Sequence, residues 1–156
     1  MKRLPVLLTV AALLLAGCAT STPAVGTGPS FKGPVGLQLY SLRAQFTKSV
    51  PQAIELARSY GIRDVELAGT YNLKPEQFRG MLVAAGLNPV SGHFSYERYK
   101  NDPESVAQEA KALGLKYAGV AWIPHEGAFD EAECRDAAVT FNKAGAVLAA
   151  HGLERV

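Results

Sequence analysis

Glu66 stands between Val65 and Leu67, Gln38 between Leu37 and Leu39, and His93 next to Phe94. In an extended segment, successive side chains face opposite ways. If Leu37, Leu39, Val65, Leu67, Val90 and Phe94 face a core, then Gln38, Tyr40, Glu66 and His93 share the other face. Neighbouring strands lie about 4.8 Å apart, so Glu66 and His93 are within reach of each other. A carboxylate beside an imidazole suits general acid–base work or the orientation of a substrate hydroxyl. The plainer alternatives are a structural ion pair for Glu66, with an arginine or with His93, and a satisfied core histidine for His93. Gln38 and Tyr40 suit hydrogen bonding to substrate or to neighbouring side chains better than catalysis. Trp122 follows another apolar run, near His125 and Glu126, and can either stack on a ligand's ring or cover the sheet. His125 and Glu126 have no second such pair, so they are not read as a metal site. His151 closes a helix, where a cation suits the dipole.

The elements that must position these residues are punctuated by Gly61-Ile62, Gly86-Leu87, Gly114-Leu115 and Gly152-Leu153. Each glycine ends a stretch of helical periodicity, as a left-handed cap does. Helices are expected from Ser49 or Val50 to Tyr60, from Pro75 with Phe78, Leu82 and Ala85 inward, and from the N-cap Asp102 with Pro103 at its first position. A fourth, of about 20 residues, starts at Asp130 with a capping box to Glu133. Strands are expected at Val35–Leu42, Asp64–Gly69, Pro89–Ser95 and Tyr117–Pro124. Strand alternating with helix argues for parallel βαβ units. Eight units at this spacing need about 220 residues, near the size of a (β/α)8 barrel. Four are present, and the register after Gly152 opens a fifth strand at Val156. The expectation is an α/β chain that is the N-terminal (β/α)4 half of a (β/α)8 TIM barrel, cut at the start of strand 5.

The chain has 156 residues, 48% hydrophobic and 19% charged, which excludes a disordered polypeptide. Its net charge of +2 comes from Lys2 and Arg3, leaving 14 acidic side chains matched by as many basic ones. A basic surface for nucleic acid is excluded on that balance. Lys2 and Arg3 lead into an apolar run, Val6 to Leu15, too short to span a bilayer, which ends in Leu15-Ala16-Gly17-Cys18. Residues 1–17 read as a signal peptide, 18–34 as a Gly/Pro/Ser/Thr-rich tether, and 35–156 as the folded part. Leu15–Cys18 resembles a bacterial lipobox; the alternative is an ordinary secretory signal with an incidental cysteine. With Cys18 acylated, two or three acyl chains anchor the protein to a membrane. Ala19 then favours the outer membrane in two-membrane bacteria. Cys134 is left as a lone thiol, expected to be semi-buried and structural, so no disulfide framework exists. No phosphate-binding loop follows a strand, since Gly26-Thr27-Gly28 lies in the tether.

Gly36-Leu37-Gln38-Leu39-Tyr40-Ser41-Leu42, Val65-Glu66-Leu67-Ala68-Gly69, Ser91-Gly92-His93-Phe94-Ser95 and Phe141-Asn142-Lys143-Ala144-Gly145 occur in that order. Together they resemble the sugar phosphate isomerase/epimerase family, whose fold is the xylose-isomerase-like TIM barrel. The resemblance implies a metal-dependent enzyme acting at a carbon next to a carbonyl. It also implies that a divalent metal is held by carboxylates and histidines of later strands, beyond this chain, so no metal ligand is assigned here. Glu66 and His93 become the catalytic candidates; Gln38, Tyr40 and Trp122 become substrate-binding candidates. Export argues for a free sugar or keto-sugar over a phosphorylated one. The alternatives are a keto-glycoside lyase or hydratase of the same family, a non-catalytic carbohydrate-binding lipoprotein, or a self-sufficient open sheet. The 156-residue chain is expected to be inactive alone and poorly soluble.

Overall fold

The computed structural model describes residues 30–31 and 33–155; the segment read as a signal peptide, Cys18 and the segment read as a tether up to residue 29 lie outside the described residues. Five strands, β1 (Gly36–Gln38), β2 (Asp64–Leu67), β3 (Asn88–His93), β4 (Tyr117–Gly119) and β5 (Glu154–Arg155), form one sheet in chain order. Every pairing is parallel. Six helices connect them: α1 (Arg43–Lys48), α2 (Val50–Ser59), α3 (Pro75–Ala84), α4 (Tyr96–Asn101), α5 (Pro103–Leu113) and α6 (Glu131–Ala150). Helices α2, α3, α5 and α6 pack each on the next. Leu39, Val65, Leu67 and Ala118 of the sheet side join Ile54, Phe78, Leu82, Val106 and Leu148 of the helices in one core. Burying a large aliphatic or aromatic side chain contributes about 1.5–3 kcal/mol, so this layer holds the sheet in shape. None of the described helices is long and apolar enough to cross a membrane.

The glycine punctuation is structural. Gly61, Gly86, Gly114 and Gly152 all adopt φ between 73° and 77°. After α5, the Gly114 amide donates to the Lys111 carbonyl and the Leu115 amide to the Ala110 carbonyl, both at 2.9 Å. That pair of bonds is a Schellman motif, which also calls for an apolar residue after the glycine. Leu87, Leu115 and Leu153 fill that role and are buried in the core. At Gly114 a side chain would also strike the Arg79 guanidinium, 2.6 Å from the Cβ position. The caps read from sequence are present: Asp102 accepts from the Ser105 amide, and Asp130 and Glu133 form a reciprocal capping box. His151 caps α6, with its Nε2 2.9 Å from Glu104 Oε1.

Several expectations need correction. The first strand ends at Gln38, and Leu39–Leu42 form a 3-10 turn that runs into α1. Leu39, Leu42 and Phe46 are all buried, and their spacing is helical, so burial overrides the alternation that Leu37 and Leu39 suggest. Helix α4 was unexpected: Ser95 caps it by accepting from the Arg98 amide, and Tyr96 and Tyr99 bury one face. Strand β4 stops at Gly119, well short of Pro124. Its ladder to β3 ends there, and β5 pairs only as far as Ala118. Cys134 is exposed, since it lies on the outer face of α6.

Candidate functional site

The chemistry-bearing side chains lie on the sheet face opposite the helices, and strand register places them. Gln38 of β1 pairs with Glu66 of β2, and Glu66 pairs with Ser91 of β3. The last pairing depends on a bulge. Asp64 and Val65 pair with Asn88 and Pro89, but Glu66 pairs with Ser91, which leaves Val90 without a partner in that ladder. Without the extra residue, Val90 would oppose Glu66, and Ser91 and His93 would turn toward the helices. A bulge re-aims side chains in this way, and proline is tolerated there because it has no amide to lose. Pro89 is accordingly buried opposite Val65, and Val90, expected in the core, stands outside the core cluster.

The four side chains converge. Gln38 Nε2 donates to Glu66 Oε1 at 2.9 Å, and Ser91 Oγ donates to Glu66 Oε2 at 2.8 Å. His93 Nε2 lies 3.3 Å from Glu66 Oε1, and His93 Nδ1 lies 3.4 Å from Gln38 Nε2. The cluster is half-buried: the Glu66 side chain is 33% exposed and that of His93 25%. Each carboxylate oxygen therefore has a protein donor, and the group stays within reach of solvent. Gln38, Glu66 and Ser91 border a cleft of about 430 Å3 that Gly36, Asp64 and Val90 also line. Such an arrangement fixes a carboxylate and an imidazole side by side, ready to hold a hydroxyl or pass a proton.

Ser91 was missed as a site residue. The available signal was its position two residues before His93, which puts both on one strand face. Tyr40 is corrected: it lies in the 3-10 turn, 55% exposed. The Arg43 guanidinium covers its ring at 4.5 Å, and its hydroxyl makes no hydrogen bond to the Glu66 cluster among the described residues.

Trp122 sits apart from the Glu66 cluster. It lies past the end of β4, 65% exposed, with its ring 4.7 Å from that of His125. It lines a separate groove of about 850 Å3 with Val120, Phe129, Phe141 and Leu148, to which Gln38, Glu66 and His93 do not contribute. The groove is the larger of the two, but the smaller cleft is the one lined by Gln38, Glu66 and Ser91. Tyr99 also borders the groove; its hydroxyl is buried without a partner among the described residues. Burial pushes the Tyr99 phenol up to about 12 and also raises that of Tyr71. His125 Nδ1 is 3.1 Å from the Gly127 carbonyl. Among the described residues, no group of three histidines, cysteines or carboxylates is placed to hold a metal.

No family model and no curated protein matches the sequence. Solved structures do match. The chain is similar to a sugar phosphate isomerase/epimerase from Parabacteroides distasonis, at 19% identity and a TM-score of 0.66 over 78% of this chain and 49% of that one. It is similar to a xylose isomerase-like TIM barrel/4-hydroxyphenylpyruvate dioxygenase fusion protein, at 17% identity and 0.57 over 77% of this chain and 21% of that one. It is also similar to an AP endonuclease, family 2, from Brucella melitensis, at 16% identity and 0.57 over 77% and 52%. The chain thus spans about half the length of the first and third, and a smaller part of the fusion protein. The fold is the one expected: the helix-covered parallel sheet of part of a xylose-isomerase-like TIM barrel.

Proposed function

We propose that this chain belongs to an exported, lipid-anchored enzyme of the sugar isomerase or epimerase kind. Its reaction moves a proton at a carbon next to the carbonyl of a free sugar or keto-sugar. The observation that carries the proposal is the convergence of Gln38, Glu66, Ser91 and His93 on the face of the sheet that a barrel turns inward. Glu66 binds a substrate hydroxyl through its remaining lone pairs, in the orientation that Gln38 and Ser91 impose. His93 is the proton carrier beside it. A lyase or hydratase reaction on a keto-glycoside begins with the same proton transfer and uses the same groups. The Leu15–Cys18 segment supports a membrane anchor and an extracytoplasmic, unphosphorylated substrate. The charge balance of the mature chain counts against the nucleic-acid substrate that the endonuclease neighbour's name suggests.

A divalent metal would polarise the carbonyl oxygen and stabilise the enediolate. The residues described here do not build its site. Glu66 and His93 are two donors, one short of a group of three, and Glu66 already accepts two hydrogen bonds. A metal in the complete protein is proposed to take its ligands from outside this chain.

The test is solvent exchange. The protein expressed from its gene is incubated in D2O with a panel of free aldoses, ketoses and keto-glycosides, with and without Mg2+ or Mn2+. Deuterium appearing by NMR at a carbon next to the carbonyl supports the proposal, and its loss in Glu66→Gln and His93→Gln locates the site. The exposed Trp122 favours one rival, a carbohydrate-binding lipoprotein without catalysis. Sugar-dependent quenching of Trp122, the single tryptophan, with no deuterium exchange would establish that rival instead.

A further inference from the structure

The distances around His93 carry more than proximity. Gln38 Nε2 and Glu66 Oε1 are only 2.9 Å apart, yet they approach different ring nitrogens, Nδ1 at 3.4 Å and Nε2 at 3.3 Å. The two nitrogens of an imidazole hydrogen-bond in the ring plane, in directions that diverge. Partners lying along both directions would therefore stand much farther apart than 2.9 Å. At most one nitrogen can be aimed at this pair, and the ring lies across it. No other hydrogen bond to His93 occurs among the described residues. Glu66 is the opposite case, since each of its oxygens accepts a directed bond from Gln38 or Ser91.

We propose that a ring nitrogen of His93, left without a directed protein partner, is the contact the cluster offers to a substrate oxygen. Glu66, held by Gln38 and Ser91, is the fixed support beneath the imidazole. This deepens the proposed function and rests on it for the substrate. The open ring nitrogen is a property of the protein alone and is tested without turnover.

The test is carbethoxylation by diethylpyrocarbonate, which needs an unengaged imidazole nitrogen, followed by peptide mass spectrometry. The chain has three histidines, His93, His125 and His151, and each is followed separately. His93 is expected to react at a rate similar to that of His125, and Glu66→Gln is expected to change its rate by less than about tenfold. A His93 slower than His125 by about tenfold or more, the protection a hydrogen bond confers, would overturn the proposal. Release of that protection in Glu66→Gln would identify Glu66 as the group that engages it. If Glu66→Gln does not fold, the ratio of His93 to His125 in the wild-type protein decides alone. Deuterium exchange in the absence of His93 labelling would leave the proposed function standing and this inference refuted. Labelling without exchange would do the reverse.

Discussion

The inner face over β1–β3 and the groove between β4 and α6 are built on opposite principles. Over β1–β3, polar side chains meet one another: Gln38 and Ser91 supply donors to both oxygens of Glu66, and His93 lies across them. Beside β4, apolar and aromatic side chains face an open groove, and the buried Tyr99 hydroxyl has no partner among the described residues. Strand pairing fixes the first of them. Strand β2 is flanked on both sides, so its register and that of Ser91 are fixed. The groove lies beside β4 and α6, lined by Val120, Trp122, Phe129 and Phe141. Glu66 and Ser91 stand on strands paired on both sides, which holds their side chains to tolerance.

Substitutions can break this contrast, beginning with the core. Phe78 is fully buried and packs edge-on against Phe46 and Tyr71 under the closed side of the sheet. Phe78→Ala is expected to cost about 3–5 kcal/mol, and Phe141→Ala, on the half-buried groove wall, clearly less. Urea unfolding midpoints measure both, and equal losses would abolish the distinction. Gly92→Ala comes next, because its Cβ would lie 2.8 Å from Leu115 Cδ1 and 3.4 Å from Leu67 Cβ. Overpacking of that kind costs about 1–3 kcal/mol and should disturb His93 labelling along with stability.

Tyr99→Phe sharpens the comparison from the groove side. It removes a buried hydroxyl without a described partner and should raise stability by about 1 kcal/mol. The sign of its pH dependence is fixed. Below pH 10 the phenol is protonated in both folded and unfolded chains and has no effect. Between 10.0 and about 12 the unfolded phenol ionises while the buried one resists, so wild-type stability falls as pH rises. Tyr99→Phe should flatten that decline in thermal melts across this window; an unchanged slope would mean that Tyr99 is not its source. The smallest effect is expected for Trp122→Ala, within about 0.5 kcal/mol, since the ring is largely exposed. A larger loss would show that the groove is structurally closed.

Sequence spoke most clearly where a residue type had one physical use. The glycine-leucine pairs, Asp102-Pro103 and the Asp130/Glu133 box each demand a helix end, and each marks one. Alternation placed Glu66 correctly because Val65 and Leu67, its neighbours in β2, are both in the core, and it placed Gln38 and His93 through the apolar Leu37 and Phe94 beside them. It could not show the bulge at Val90, which depends on how β3 pairs with β2, and Ser91, on the same face as His93, was passed over although the period of two places it there. Tyr40 was misplaced because Leu39 fits two periods, and the helical one, shared with Leu42 and Phe46, buries more surface. Helix α4 was hidden because its six residues carry only two buried positions, Tyr96 and Tyr99. The end of β4 was overestimated because strand length depends on a neighbour that sequence-local patterns do not reveal.

The most direct test of the central claim is deuterium incorporation next to a sugar carbonyl, measured side by side in wild type, Glu66→Gln, His93→Gln and Trp122→Ala. General acid–base groups contribute about 10²–10⁴ in rate. His93→Gln should therefore lose about that factor, Glu66→Gln should fall markedly with it, and Trp122→Ala should stay within a few-fold of wild type. Full exchange in His93→Gln and Glu66→Gln, with loss only in Trp122→Ala, would move the reaction centre to the groove and contradict the account.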